Sequence, residues 1–164
     1  MKNRRETFRS SLDIAVTKAA SYAPAALDLK LDRFRELVVT LDIQSAERDS
    51  GDELYDFYLI TGDEIAEWDL VHFPQIATTG AKRYVARIFA DQLGQTVTTG
   101  AAPDLATNDP AVLAVGAAAA NAPKSLAAGV ARHGPFGHML RYELVVAGTI
   151  ATGIAYTVHV EARA

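Results

Sequence analysis

The chain has 164 residues, 49% of them hydrophobic and 22% charged, with a formal net charge of −4 and no cysteine. This balance is typical of one globular domain, excludes disulfides and thiolate metal sites, and argues against a general nucleic-acid binder. No apolar run reaches the roughly 20 residues of a membrane helix, and the charged start is not followed by the apolar segment of a secretory signal.

The first ten residues are polar and locally basic, and we expect them to form a flexible N-terminal arm before a single domain over residues 11–164. The candidate contact residues in this arm are Arg4, Arg5, Phe8 and Arg9. The simpler interpretation of the basic cluster is a solvated tail, and the alternative is a short arm that contacts an acidic partner surface.

Apolar and polar residues alternate in six segments, which is the pattern of half-buried β-strands. These segments are Leu12–Val16, Arg35–Gln44, Leu54–Thr61, Arg83–Ala90, His138–Ala147 and Ile154–Ala162. The first is expected to be an edge strand. Pro24, further along the chain, removes a backbone donor, so a strand that crosses it is an edge strand or is broken there. The pattern predicts an all-β chain folded as an antiparallel β-sandwich.

Residues Glu64–Gln75 combine aromatic with acidic side chains and end in Phe73-Pro74-Gln75. We expect this segment to be a loop or a short strand folded over a sheet edge. The carboxylates around Trp68 are compatible with glycoside hydrolysis or sugar binding, but acidic surface loops commonly have the same composition.

The stretch over residues 94–135 is rich in alanine and contains four prolines, and we expect it to be a partly helical insertion. Asp109-Pro110 resembles a helix start, and a second short helix is expected over Lys124–Ala131. The alternative is an extended arm whose small side chains allow close contact with another subunit.

Signatures of catalysis and of metal binding are weak. The four histidines lack zinc-protease spacing, and the acidic cluster of residues 49, 52, 53 and 56 lacks the spacing of a calcium-binding loop. That cluster could hold a hard cation, but a solvated hairpin loop explains it as well. Serine-hydrolase, phosphate-loop and dinucleotide motifs are missing. We therefore predict a protein that is not an enzyme and has no metal and no cofactor.

Three stretches follow one another in a familiar order: RELVVTLDIQSA (35–46), YDFYLITGDEIAEWDLVHFPQIATTGAKRYVARI (55–88) and GPFGHMLRYELVVAGTIATGIAYTVHVEAR (134–163). They contain a strong first strand, a polar hairpin, an aromatic loop ending in Phe-Pro, and a terminal hairpin opened by Gly-Pro. Over roughly half of its length the chain resembles the small capsid decoration, or cement, proteins of tailed double-stranded DNA bacteriophages.

The resemblance implies a jelly-roll-like sandwich that binds the major capsid protein as a homotrimer, with no nucleic-acid or membrane partner. It implies a place on the capsid surface of the virion, after synthesis in the cytoplasm of the bacterial host. The arm residues are then expected to contact capsid or neighbouring subunits, together with the aromatic-loop residues Trp68, His72 and Phe73. The basic arm and the alanine-rich insertion depart from the family's compact pattern.

The alternative function is a carbohydrate-binding module of a phage tail or receptor-binding structure. Trp68, Tyr55 and Tyr58 would form its stacking surface, and Asp56 and Asp63 would accept hydrogen bonds from sugar hydroxyls. This function requires an exposed Trp68.

Overall fold

The computed structural model describes residues 7–91, 114–115 and 123–164, and for residues 7–15 and 114–115 it describes the backbone alone. The strands in chain order are β1 (Thr7–Lys18), β2 (Leu27–Asp28), β3 (Glu36–Ala46), β4 (Leu54–Gly62), β5 (Glu67–His72), β6 (Lys82–Phe89), β7 (Ala114–Val115), β8 (Val130–Ala131), β9 (Met139–Ala147) and β10 (Ile154–Arg163). A single 3-10 turn over Leu31–Arg33 connects β2 to β3. None of the helices in the described part of the chain is long and apolar enough to span a membrane.

The strands form two sheets that pack face to face. One sheet has four strands in the order β1-β10-β3-β6, and all of its pairs are antiparallel. The other has six strands in the order β2-β9-β4-β5-β8-β7, and all of its pairs are antiparallel except β7–β8. The predicted antiparallel β-sandwich is therefore confirmed, and its jelly-roll character stays a prediction.

The core lies between the sheets and is built from alternate residues of each long strand. In β3 the side chains at positions 37, 39, 41 and 43 are completely buried, and the intervening ones are partly exposed. Aromatic rings join the two layers: Phe57 meets Tyr156 edge-on at 4.8 Å, and the buried hydroxyls of Tyr142 and Tyr156 lie 2.8 Å apart. Each such large apolar side chain contributes roughly 1.5–3 kcal/mol by leaving water.

The structure corrects the predicted arm. Residues 7–10 belong to β1, where Phe8 pairs with Ala162 and Arg9 with Glu161. The backbone of these residues therefore extends the four-stranded sheet as its edge strand, and the rest of the predicted arm, residues 1–6, lies outside the described part. The predicted edge position of the first strand is confirmed.

Two further expectations were wrong. Residues 67–72 form β5, which lies inside the six-stranded sheet between β4 and β8 and not over an edge. The segment Lys124–Ala131 consists of turns followed by β8, and Ala114–Val115 form strand β7 instead of continuing a helix from Asp109. The rest of the predicted helix after Asp109 lies outside the described residues.

One end of the sandwich is formed by the ends of long strands from both sheets. In the four-stranded sheet, Thr7, Arg163 and Phe89 share one row across the strands, with Glu36 between the last two. In the six-stranded sheet, Gly62 and Met139 form the corresponding row. The segment between the two rows is bonded to both: the Gly134 N–H donates to the Phe89 carbonyl, and the Gly137 N–H donates to the side-chain hydroxyl of Thr61. We call this the junction end.

Candidate functional site

Residues 123–131, which we call the covering segment, pack on the outer face of the six-stranded sheet around β5 and then join that sheet as β8. Asp69 of β5 holds its beginning: one carboxylate oxygen accepts the N–H of Lys124 at 2.8 Å, and the other accepts those of Ser125 at 2.6 Å and Leu126 at 3.1 Å. Asp69 is 1% exposed, so these bonds form away from competing water. The carboxylate therefore acts as the anchor of the segment.

The first residues of the covering segment adopt a conformation that the anchor supports. Lys124 has a left-handed backbone, with φ at 59°, which side chains other than glycine rarely adopt. Its ammonium lies 2.8 Å from the carboxylate of Glu143 on β9. Leu126, two residues later, is almost completely buried. The hydrogen bonds from Asp69 thus hold the backbone in a position from which the apolar side chain of Leu126 is buried.

His72 at the end of β5 makes the second connection. Its Nδ1–H donates to the carbonyl of Leu126 at 2.8 Å, and its Nε2 lies 2.9 Å from Asp56 Oδ1. The Tyr58 ring stacks on the imidazole with centroids 4.0 Å apart, and Gln75 donates to the other oxygen of Asp56. Burial raises the pKa of the Tyr58 hydroxyl, and the Asp56 carboxylate beside it adds to that shift. Both nitrogens of the imidazole thus have partners, and one face of the ring is covered by Tyr58. This arrangement is typical of a residue that stabilises the fold.

Arg141 of β9 forms the third polar cluster on this face. Its guanidinium donates two bonds to Glu67, at 2.9 and 2.8 Å, and one to Glu143 at 3.0 Å. The guanidinium holds the pKa of the Glu67 carboxyl below its usual range. The bonds to Glu67 raise the pKa of Arg141 in turn. The carboxylate of Glu67, which precedes Trp68 in the sequence, is therefore bonded to a side chain of the same subunit.

The structure separates the predicted contact residues. Arg4 and Arg5 lie outside the described residues, while Phe8 and Arg9 are placed in β1. His72 is 6% exposed and Phe73 is 2% exposed, so the prediction that these two form a contact surface was wrong. Phe73, which follows β5, packs in the core between the sheets, whereas His72 lies on the outer face of β5 and is bonded to Leu126 of the covering segment. Trp68 is half-buried, and its indole N–H donates to the carbonyl of Pro135 at 3.3 Å.

The predicted sugar-stacking surface is not formed by the residues proposed for it. Tyr55 is completely buried, because odd-numbered residues of β4 face the core. Tyr58 is covered on one face by His72, and Asp56 is already bonded to His72 and Gln75. Trp68 and Tyr58 could therefore offer a ligand no more than partial surfaces.

Two of the acidic residues have local partners. Asp52 accepts from the N–H and the hydroxyl of Thr149, and Oε1 of Glu53 accepts the N–H of Ser50. Glu53 is completely buried, and its Oε2 has no hydrogen-bond partner among the described residues. Among residues 7–91, 114–115 and 123–164, no three histidine or acidic side chains converge so that they could hold a metal ion. The carboxyl pKa values of Asp63 and Glu64 are lowered, chiefly by backbone N–H groups, whereas a general acid of a glycosidase needs a raised one.

Sequence reasoning missed the exposed apolar residues of this sheet. Ile65 is 94% exposed at the tip of the turn between β4 and β5, and Leu27 is 43% exposed on the edge strand β2. A signal was present, since isoleucine stands at position 65 in an otherwise polar run that begins with Gly62-Asp63-Glu64. Single exposed apolar side chains are common on protein surfaces, and only a large contiguous patch of them indicates a binding surface.

Comparisons with known proteins add no relative: no protein-family model, no curated protein and no solved structure matches the chain.

Proposed function

We propose that this chain is a structural virion protein that decorates and stabilises the capsid of a tailed bacteriophage as a homotrimer. One observation supports the proposal: the chain folds as a two-sheet β-sandwich in which the polar clusters around Asp69, His72 and Arg141 bind groups of their own subunit, as suits a rigid body that works through its surface.

A rigid sandwich suits a protein whose work is to join large neighbours, because such a body can contact a surface and its neighbouring copies at once. Repeated weak contacts on a symmetric shell then add through a high effective concentration.

The polar clusters are compatible with this role. The clusters around Asp69, His72 and Arg141 bind groups of their own subunit, and each stabilises the sandwich without a free reacting atom at its centre. A decoration protein needs a stable body and contact surfaces, and it needs no catalytic group.

The direct test is cosedimentation of the purified protein with empty shells built from the major capsid protein of the same phage. We expect saturable binding and a higher melting temperature of the shell. Deleting residues 1–6 should weaken binding without changing the protein's own melting temperature; the deletion should stop there, because residues 7–10 are part of β1. Arg83→Ala, which removes an exposed charge far from the junction end, is the matched control. Absence of binding by the full-length protein at tens of micromolar would overturn the proposal.

A further inference from the structure

The chain between β8 and β9 crosses the junction end with a histidine on each side of the sequence Gly134-Pro135-Phe136-Gly137. We call residues 133–138 the connecting segment. Its first residue, His133, contacts the end of β6 in the four-stranded sheet. Its last residue, His138, contacts β2 and the turn before β5, which both belong to the six-stranded sheet. The two histidines therefore attach opposite ends of the segment to different sheets.

His133 is attached to Phe89, the last residue of β6. Its Nδ1 accepts the N–H of Phe89 at 3.0 Å, and the next residue, Gly134, donates its own N–H to the Phe89 carbonyl at 3.2 Å. The rings of His133 and Phe89 pack with their centroids 5.4 Å apart, and His133 is only 6% exposed. Both backbone groups of Phe89 are thus bonded to the connecting segment.

The bond to Phe89 requires a neutral His133. A ring nitrogen that accepts a hydrogen bond carries no proton, so the single proton of the imidazole is on Nε2. A second proton would place an N–H at Nδ1 against the N–H of Phe89 and break the bond. Burial lowers the pKa of His133, and the carboxylate of Asp91, the charged group that interacts with the ring, opposes this shift only in part. Acid therefore acts against this attachment.

His138 requires the opposite state. Its Nδ1 lies 3.4 Å from Asp28 of β2 and its Nε2 lies 3.2 Å from Glu64. Because ionised carboxylates only accept hydrogen bonds, both ring nitrogens need a proton. The Glu64 carboxylate foremost, and that of Asp28 with it, raise the pKa of His138. The other charges nearby are Lys30, which pairs with Asp28 at 2.6 Å, and Asp63, which interacts with His138 through its charge. Alkali therefore acts against this attachment.

We propose that the connecting segment is a pH-sensitive connection between the two sheets: protonation of His133 detaches it from β6 in acid, and deprotonation of His138 detaches it from β2 and from the turn over residues 63–66 in alkali. Each event breaks contacts at one end of the segment, while β6 stays paired with β3 and β9 with β4. The acid step acts where the chain leaves β6 towards the alanine-rich stretch, so it loosens residues 89–91 and not the core. The inference goes beyond the proposed function and does not depend on capsid binding.

The two attachments depend on pH in opposite directions. The folded pKa of His133 is below the ordinary value of about 6.5, so its contribution to stability is present above that value and is lost as pH falls through the folded pKa. The folded pKa of His138 is above the ordinary value, so its contribution is present below about pH 6.5 and is lost as pH rises through the folded pKa. The second effect is the smaller one, because Asp28 and Glu64 are 48% and 80% exposed in their side chains and water screens the interaction.

The direct test is an NMR titration of the full chain with nitrogen-15 in its histidines, because the ring nitrogen shifts report which nitrogen carries a proton. At about pH 7 we expect His133 to be neutral with its proton on Nε2, and on acidification we expect His138 to become charged before His133. A charged His133 at that pH, a neutral ring with its proton on Nδ1, or the reverse order of titration would overturn the inference.

Hydrogen exchange shows whether protonation detaches the segment. Between about pH 7 and about pH 4.5 the protection factor of the Phe89 amide should fall by roughly tenfold relative to that of Leu41 in the central strand β3. In His133→Asn a side-chain oxygen takes the place of Nδ1 and does not titrate, so this ratio should stay constant. The matched control His159→Asn removes a histidine from the outer face of β10 and should behave as the wild type does. Equal pH profiles of the ratio in the wild type and in His133→Asn would contradict release in acid. The NMR titration needs no variant, so it decides even if His133→Asn does not fold.

The alkaline end has a test of its own. His138→Lys keeps a cation beside Asp28 and Glu64 that stays charged up to about pH 10. The urea midpoint of the wild type should therefore fall between about pH 6 and about pH 9 by more than that of His138→Lys. Parallel profiles of the two proteins over this range would overturn release in alkali.

Discussion

The two sheets treat their outer faces differently. The six-stranded sheet is covered by residues 123–131, which are bonded to the buried Asp69 and His72. The four-stranded sheet leaves its outer face in water and lines it with exposed ion pairs, such as Arg83 with Asp42 at 2.5 Å and Arg163 with Glu36 at 3.3 Å. Similar residue types therefore serve as anchors on one sheet and as a solvated surface on the other.

The difference shows that the environment of a polar residue decides how much it contributes to the stability of the fold. A buried carboxylate that accepts several N–H groups cannot be replaced by water, so its loss leaves those donors unpaired. An exposed ion pair exchanges its partner for water at little cost. Ile60 shows that burial on this face also includes an apolar residue, because it lies on the outer side of β4, opposite Asp69, and is completely buried. The predictions below test this contrast from both sheets.

The largest effect is expected from Asp69→Ala. The substitution removes the acceptor of three backbone N–H groups, and unfolding free energy should fall by about 3 kcal/mol. Urea unfolding at neutral pH measures this loss. Asp69→Asn is the matched control and should lose less, since its carbonyl oxygen still accepts. A loss below about 0.5 kcal/mol for Asp69→Ala would show that the cover is not anchored there.

A smaller, pH-dependent effect is expected from Glu47→Gln, whose partners lie in the loop before β10. Backbone N–H groups of Gly153, Ala151 and Thr152 hold the pKa of the Glu47 carboxyl below its usual range. Because the folded pKa is lower than the unfolded one, this contribution is present above the unfolded pKa and is lost as pH falls through the folded pKa.

The wild type should therefore lose more stability than Glu47→Gln between about pH 6 and about pH 3. Urea midpoints at several pH values give the comparison. Parallel acid profiles for the two proteins would contradict a role of Glu47 in acid sensitivity.

The smallest effect is expected from Arg83→Ala on the open sheet. Its guanidinium pairs with Asp42 and is 44% exposed, so solvent screens the interaction. Unfolding free energy should change by less than about 1 kcal/mol, and by less still at high salt. If Arg83→Ala lowered the free energy of unfolding as much as Asp69→Ala, polar residues on the two outer faces would not differ in their contribution to stability.

The sequence predicted the long strands well and the covered face poorly. Strands β3, β4, β6, β9 and β10 were all located within two residues at each end, because their alternation is a local property of one strand. The placement of His72 and Phe73 was wrong, since both look like surface aromatics in an acidic loop. The burial of His72 depends on the covering segment, which is more than fifty residues away in the chain. Phe73 is buried because it packs in the core near Tyr84 of the other sheet.

The helix expected over Lys124–Ala131 failed for a related reason. Alanine favours a helix, but Asp69 takes the N–H groups of residues 124–126, and β8 then pairs with β5. Bonds to a distant carboxylate and strand outweigh the local preference. The exposure of Ile65 was equally out of reach, because burial is decided by which elements fold over a residue.

By itself the sequence determined the all-β class, most strand positions and the side of each long strand that faces the core. A period of two fixes these features, because successive side chains of an extended chain point in opposite directions. The tertiary structure alone decided which sheet is covered, where the chain enters and leaves the sandwich, and which apolar residues remain exposed. Those features arise from contacts between residues far apart in the chain, and no local pattern carries them.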